Sequence, residues 1–391
     1  MNTPVSAPRQ KWSWRSQAFR GVIYQFIAVA VIVLVISALT NNTLTNMAAR
    51  GIQSGFDFLL DPAGFDIGES IIPFESQQPY WQAFVVGLLN TLRVAVLGIV
   101  LTTVLGTLLG VGSFSRNILV RATCLAYVEF FRNVPVLIQL LLWYFSLTHL
   151  LPDSWEPWQS GPFFVSKGGL TYPEPVWAVG HLTAVAGAAI GIVAAVWARQ
   201  RARLRFEQTG VPQSMVWLPL GLIALGAIAG WAIGGAPTEF NAPIKGEFAV
   251  EGGAAITPEF LAVTLGLTIY TASFVAEVVR AGIQSVHAGQ GEAAAALGLS
   301  KSQSMRLILL PQALRVIIPP MTNQFLNLTK NSSLAVAIGY PDIVSVTNTS
   351  LNQTGRAVEC IAVVMLVYLI TSLATSALMN WYNKRSAILE R

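Results

Sequence analysis

The chain has 391 residues, of which 53% are apolar and 11% charged, and its mean hydropathy is +0.57. Soluble globular domains carry about 25% charged residues, so this composition excludes one. The formal net charge of +5 does not point to nucleic acid either, because the basic residues fall in short segments between apolar runs, the positive-inside pattern of a membrane protein.

A helix needs about 20 apolar residues to cross about 30 Å of hydrocarbon. Eight such runs are predicted, at 21–39, 84–112, 119–150, 176–198, 214–235, 259–283, 312–338 and 357–381. The expected fold is therefore all-α, a polytopic membrane protein. Arg9, Lys11, Arg15 and Arg20 precede the first run and place the N-terminus in the cytoplasm. That run is longer than a signal-peptide core and has no small-residue cleavage site after it, so it reads as an uncleaved first span. The loop at 40–83 carries Asp57, Asp61, Asp66, Glu69 and Glu75 against Arg50 and suits the outside. Arg116 and Arg121 return inside, Asp153, Glu156 and Glu174 lie outside, and Arg199, Arg201, Arg203 and Arg205 mark another inside loop. Glu239, Glu247 and Glu251 mark the next outer loop, and Lys384, Arg385 and Arg391 put the C-terminus inside. Residues 1–83 read as an added span and outer loop, 84–150 and 256–391 as a core in two parts, and 151–255 as an insertion with two further spans. Cys124 and Cys360 fall inside predicted spans and read as small buried residues. His149, His181 and His287 make no metal-ligand spacing.

The loop at 284–311 holds the strongest local signal. Ala293 to Ala296 favour a helix of almost no side-chain bulk. Gly298 can take the left-handed conformation that ends it, and Ser300 with Gln303 is a capping box that starts another. Pro311 introduces the seventh span. A small, alanine-faced helix of this kind suits docking into a groove of another protein, with Glu292 as its charged contact. It lacks the large apolar residues a surface-lying membrane helix needs.

The pattern Glu292-Ala293-Ala294, then Gly298, then Ile308-x-Leu310-Pro311 resembles the EAA loop of ABC importer permeases. Further matches to the polar amino acid branch of that family are Asn90-Thr91-Leu92, Glu129 to Gln139, Ala276 to Gly282 and Lys330-Asn331-Ser332-Ser333-Leu334. The resemblance implies a type I importer core of five spans in the bacterial cytoplasmic membrane, and the additions resemble the long permease type of general L-amino acid transporters. It implies these partners: a second permease subunit, expected to be a different chain, an ABC ATPase dimer, a periplasmic amino-acid-binding protein and an L-amino acid substrate, all in membrane lipid and without nucleic acid. In the family the EAA loop is the coupling helix seated in the ATPase. ATP and Mg would be bound there, and no cofactor is expected on this chain, which has no phosphate loop and no catalytic set. A secondary transporter driven by an ion gradient is the other reading, but neither inverted repeats nor midplane acidic residues are visible.

Charged residues inside spans mark function. Glu129 with Arg132, and Glu277 with Arg280, are three apart and can pair locally on one helix face. Snorkelling to the interface is an equal reading for the second pair. Arg132, Asn133, Pro135, Gln139 and Glu277 are the candidate pathway residues of this half. In the seventh span, Pro319-Pro320 are expected to interrupt backbone bonding, and Asn323, Asn327, Lys330, Asn331, Ser332 and Ser333 follow at membrane depth. Broken helices near the midplane bind small zwitterions through free N–H groups, which would give this stretch the substrate carboxylate. A proline kink packed between helices remains the alternative.

Overall fold

The computed structural model describes residues 17–49, 51, 54–210 and 217–386. Arg9, Lys11, Arg15 and Arg391, which the charge pattern used to orient the ends, lie outside them. The chain divides into two compact units, one of residues up to Ile99 and from Val278 onward, the other of Val100–Glu277.

The first unit begins with α1 (Gln17–Ala49), whose large apolar side chains, Phe26 and Leu34 among them, are exposed as on a lipid-facing helix. The acidic loop that follows then folds back on itself. Ala63 N–H donates to Gln78 O at 2.8 Å, Gly64 N–H donates to Ser76 O at 2.8 Å, and a 3-10 turn covers Asp57–Leu60. Phe58 from that turn meets Tyr80 edge-on at 5.6 Å, where α2 (Tyr80–Gly112) starts. Both rings are buried with Ala83, Phe84, Ile343, Val346 and Cys360. The last two described helices, α11 (Ile343–Thr354) and α12 (Ala357–Ser386), complete this core. Asn90, fully buried, donates its amide to Glu69 O at 2.8 Å and Pro341 O at 2.9 Å, while the Thr91 hydroxyl accepts from Ile343 N–H at 3.1 Å. Asn90-Thr91 thus tie α2 to the turn before α11.

Arg356, between α11 and α12, is buried and clasps the acidic loop, with Nη2 donating to Asp57 Oδ2 at 2.9 Å and Nη1 to Gly55 O at 2.6 Å. Glu359 Oε1 accepts from Gly55 N–H at 2.7 Å beside it. The guanidinium holds the exposed Asp57 carboxyl below its ordinary value of 3.8. A depressed carboxyl contributes stability above that ordinary value and loses it as pH falls through the folded one, so the Asp57 bond is intact at neutral pH. Removing Arg356 takes the donor from Gly55 O and the neighbouring cation from the buried Glu359, whereas the exposed Asp57 pair contributes little by itself. Arg356→Met is therefore expected to lower the thermal midpoint of the detergent-solubilised protein by several degrees. Asp57→Asn is expected to lower it much less.

The second unit holds the rest of α2, then α3 (Ile118–Asn133), α4 (Val136–Leu150), α5 (Val179–Thr209), α6 (Trp217–Ile233) and most of α7 (Pro258–Gln284). The predicted single span at 119–150 is instead two helices bent by 105°. Val134 is extended and Pro135 has no N–H to donate, so the helical ladder stops there. The α5 and α6 backbones touch: a Cβ on Gly187 would lie 2.1 Å from Gly226 O, and one on Gly230 2.1 Å from Thr183 O. Small residues allow this approach between membrane helices.

All-α is corrected to mostly helical, because the segments joining α4 to α5 and α6 to α7 form short strands. These are β1 (Trp158–Ser160), β2 (Phe163–Ser166), β3 (Gly169–Tyr172), β4 (Glu174–Pro175), β5 (Phe240–Asn241), β6 (Ile244–Lys245), β7 (Val250–Glu251) and β8 (Ala254–Ile256). The largest sheet is antiparallel in the order β1-β2-β3-β8, with Leu170 opposite Ile256. Gly169 at φ +106 passes so close to this edge that a Cβ would lie 2.0 Å from Ile256 O. Counting 20-residue apolar runs is blind to strands this short.

Among the described residues, five helices are long and apolar enough to cross a membrane, six if the bent pair is one span. The predicted span at 214–235 is the 17-residue helix α6, with residues 211–216 outside the description. The predicted span at 312–338 ends in a 3-10 segment and is too polar to meet that count.

Candidate functional site

The loop after α7 folds as its sequence predicts. In α8 (Ala288–Ala296) the His287 ring nitrogen caps the start, accepting from Gly289 N–H at 3.1 Å. At the far end Gly298 sits at φ +75, its N–H donating to Ala295 O at 3.0 Å and Leu299 N–H to Ala294 O at 3.1 Å. That pair of bonds is the Schellman stop. The capping box forms, Ser300 N–H donating to Gln303 Oε1 at 2.9 Å and Gln303 N–H to Ser300 Oγ at 3.3 Å, and opens α9 (Lys301–Ser304). Glu292 and Ala293 are exposed while Ala294 is buried, so the helix has one docked edge and a free face. Leu297, 78% exposed at the end of that face, is an apolar knob the sequence reading passed over; its position just before the stopping glycine is the signal that could have marked it.

A π turn over Met305–Leu309 leads into α10 (Leu310–Asn331). Pro311 lacks a donor for the carbonyl four residues back, at Leu307, and its ring crowds that carbonyl. The wider turn, closed by Leu310 N–H on Met305 O, relieves both. Ile308 and Pro311 are half-buried and Leu310 is exposed. Two contacts fasten this loop to the helices behind it. Gln312 Nε2 donates to Gln290 Oε1 at 3.3 Å, and Gly282 near the end of α7 lies so close to α10 that a Cβ would be 2.2 Å from Ile317 Cγ1.

The expected interruption at Pro319-Pro320 does not occur: α10 stays helical through both. Proline φ is already helical, and the two missing donors remove only two bonds of the helical ladder, those to the carbonyls four residues back. The break comes later, in a 3-10 segment at Ser332–Ile338 that Gly339 ends at φ +82. Asn323, Asn327 and Lys330 are all exposed and, at spacings of four and three, share one face of α10. The opposite face, Met321, Phe325, Leu328 and Thr329, is buried. Ser332 is buried and its hydroxyl donates to Thr329 O at 2.7 Å; the half-buried Ser333 donates to Lys330 O at 2.8 Å, and Asn331 is half-buried. The serine hydroxyls are thus committed to the backbone, whereas the asparagines and Lys330 present a free polar stripe.

In the second unit the α3–α4 bend presents Arg132, Asn133 and Pro135 at the surface. The expected local pair Glu129–Arg132 is not the one formed. Arg132 Nη1 reaches Glu277 Oε2 of α7 at 3.8 Å, with both side chains about one-third exposed, and its guanidinium lies 5.5 Å from the Phe274 ring centre. Glu129 instead accepts from Asn133 Nδ2 at 3.1 Å. Gln139 does not line an open surface: it is 2% exposed, and its Nε2 donates to Phe131 O at 3.0 Å and Val134 O at 2.9 Å. Both carbonyls lost helical partners at the break, so Gln139 staples the bend.

Comparison with known proteins matches residues 98–387 to the family described as binding-protein-dependent transport system inner membrane component. The chain is 43% identical over 386 residues to the general L-amino acid transport system permease protein AapQ of Rhizobium johnstonii, covering 97% of this chain and 96% of that one. It is 42% identical to the putative amino-acid ABC transporter permease protein YhdX of Escherichia coli, covering 97% of each chain. With the glutamate/glutamine/aspartate/asparagine transport system permease protein BztB of Rhodobacter capsulatus it shares 38% identity over 95% of each chain.

Proposed function

We propose a function from one premise: the chain belongs to the family of binding-protein-dependent transport system inner membrane components. It is the permease subunit of an amino-acid ABC importer, a transport subunit of the inner membrane, and nucleotide is bound on the partner ATPase. The names of its full-length relatives support polar or general L-amino acids as its substrates.

The observation that carries the mechanism is α8, a capped helix with a free face, braced on α10 by Gln290 and Gln312 and reached through the close packing of Gly282 on Ile317. In this reading Glu292, Ala293 and Leu297 meet the ATPase, which draws α8 with it when ATP closes it. Because α8 has almost no side-chain freedom and both its ends are capped, its displacement is passed to α7 and α10 as rigid-body motion. The polar stripe of Asn323, Asn327 and Lys330 then serves the pathway, facing a second permease subunit that is a different chain. A stripe of this kind is stable at membrane depth only against protein or water. Arg132 and Asn133 line a second stretch, with Glu277 holding the Arg132 guanidinium until a substrate carboxylate competes for it. The reading takes α1, α2, the α3–α4 pair, α5, α6, α7, α10 and α12 as eight spans with both termini cytoplasmic, and the charge bias of the loops supports it.

Reconstitution of the complete transporter with its binding protein in vesicles tests this. Uptake of labelled L-amino acids should require internal ATP. Arg132→Ala is expected to reduce the uptake rate about tenfold or shift the preferred substrate, since an ion pair to a carboxylate of this kind is worth about 1.5–3 kcal/mol. Unchanged rate and unchanged preference would remove Arg132 from the pathway.

A further inference from the structure

We infer that the C-terminal end of α5 is a binding collar for the headgroups of anionic phospholipids. From Val179 to Ala198 the helix is free of charge, and those residues, at about 1.5 Å each, span the whole hydrocarbon thickness of about 30 Å. The helix nevertheless runs on to Thr209. Arg199, Arg201, Arg203 and Arg205 occupy the turns just past the apolar stretch, within about 10 Å of its end by helical rise. The headgroup layer on each side of a bilayer is about 5–8 Å thick, so Arg199, Arg201 and Arg203 start at its depth and Arg205 starts just beyond it, within reach of a long side chain that can snorkel.

All four are exposed. Residues two apart are turned by about 200° on a helix, so Arg199 with Arg203 and Arg201 with Arg205 face opposite sides. The collar can therefore take lipid from two directions. Arg201 stacks on Trp197, with its guanidinium carbon 3.6 Å from the ring centre; Trp197, 54% exposed on the last apolar turn, is placed where tryptophan marks a membrane interface. The protein itself supplies little counter-charge. Glu207 pairs with Arg203 at 3.2 Å, both largely exposed, and α6, which packs along α5, carries no charged residue. No other acid occurs between Arg199 and Glu239. Guanidinium forks match phosphate oxygens in shape and charge, and basic clusters beside a membrane span attract anionic leaflets.

The full chain, purified gently and placed in nanodiscs of mixed phosphatidylglycerol and phosphatidylcholine, can be assayed for retained lipid by mass spectrometry. Wild type should retain phosphatidylglycerol preferentially. Replacing all four arginines by glutamine should cut that preference about threefold or more, while replacing them by lysine should keep most of it, because charge dominates the attraction. The lysine variant also keeps the charge that orients the helix. Should the glutamine variant not accumulate, the double variants Arg199→Gln with Arg203→Gln and Arg201→Gln with Arg205→Gln replace it, each expected to lose part of the preference. Equal retention by wild type and the glutamine variants would overturn the proposal. So would displacement of the lipid by millimolar inorganic phosphate, the mark of a free-anion site. Unchanged lipid retention with loss of a co-purifying ATPase would assign the collar to a protein partner instead.

Discussion

Gly298→Arg and Glu292→Lys should each abolish ATP-driven uptake and strip the ATPase from the purified permease. Gly298 sits at φ +75, where a residue with a Cβ pays about 1–2 kcal/mol. The two Schellman bonds from Gly298 and Leu299 set where α8 ends, so shifting that stop turns the free face of the helix. A bulky cation placed there also blocks the groove the helix is proposed to fill. Glu292→Lys leaves the fold alone, since Glu292 is exposed, but reverses the one charge on the face. Truncating a central contact at an interface commonly costs about 2 kcal/mol or more, enough for a loss of about thirtyfold in affinity. Leu297→Ala, which trims the apolar knob, should weaken the association less than either. Co-purification from native membranes measures all three. If uptake survives ATP depletion but fails with an uncoupler, the chain works by an ion gradient and α8 does not couple to an ATPase.

Gly226→Leu should be the most damaging single change in the second unit. A Cβ there would lie 2.3 Å from the carbonyl oxygen of Gly187, and backbone cannot step aside as a side chain can. The α5 and α6 helices would have to separate along the length that Gly187, Gly191 and Gly230 hold closed. Overpacking a tight interface costs about 1–3 kcal/mol, and here the contact is with main chain, which places the effect at the upper end. Gly221, on the same helix, has open space where its Cβ would point, so Gly221→Leu is the matched control. The expected result is a lower thermal midpoint and faster proteolysis for Gly226→Leu, with Gly221→Leu close to wild type. Similar behaviour of the two would mean that the α5–α6 contact contributes nothing to stability.

The features legible in the sequence were those that residues within a few positions of one another decide. Ser300 finds Gln303 three residues on, Gly298 follows a run of alanines, and apolar stretches of span length announce α1, α2, α5, α7 and α12 without reference to the rest of the chain. Helix caps and hydrophobic runs are local free energies, and the tertiary fold leaves them in place. The continuity of α10 through Pro319-Pro320 was misread because the rule for proline describes an isolated helix. Here packing of Ile317, Ile318 and Met321 in the core holds the turn that the missing bonds would loosen.

Only the tertiary structure could choose between partners. Glu129 and Glu277 are both acids that Arg132 could meet. The local one is the reading a single helix allows, but Asn133 occupies Glu129 and the approach of α7 brings Glu277 within reach. Gln139 looked like a pathway residue by its place in the motif, until burial and two orphaned carbonyls made it the staple of the α3–α4 bend. The same holds for the strands beside the inserted helices, whose pairing joins Leu170 to Ile256 across most of the insertion, and for glycines whose purpose is the helix opposite. A contact between residues far apart in the chain depends on shape and distance in three dimensions, and the order of residue types along the chain carries neither.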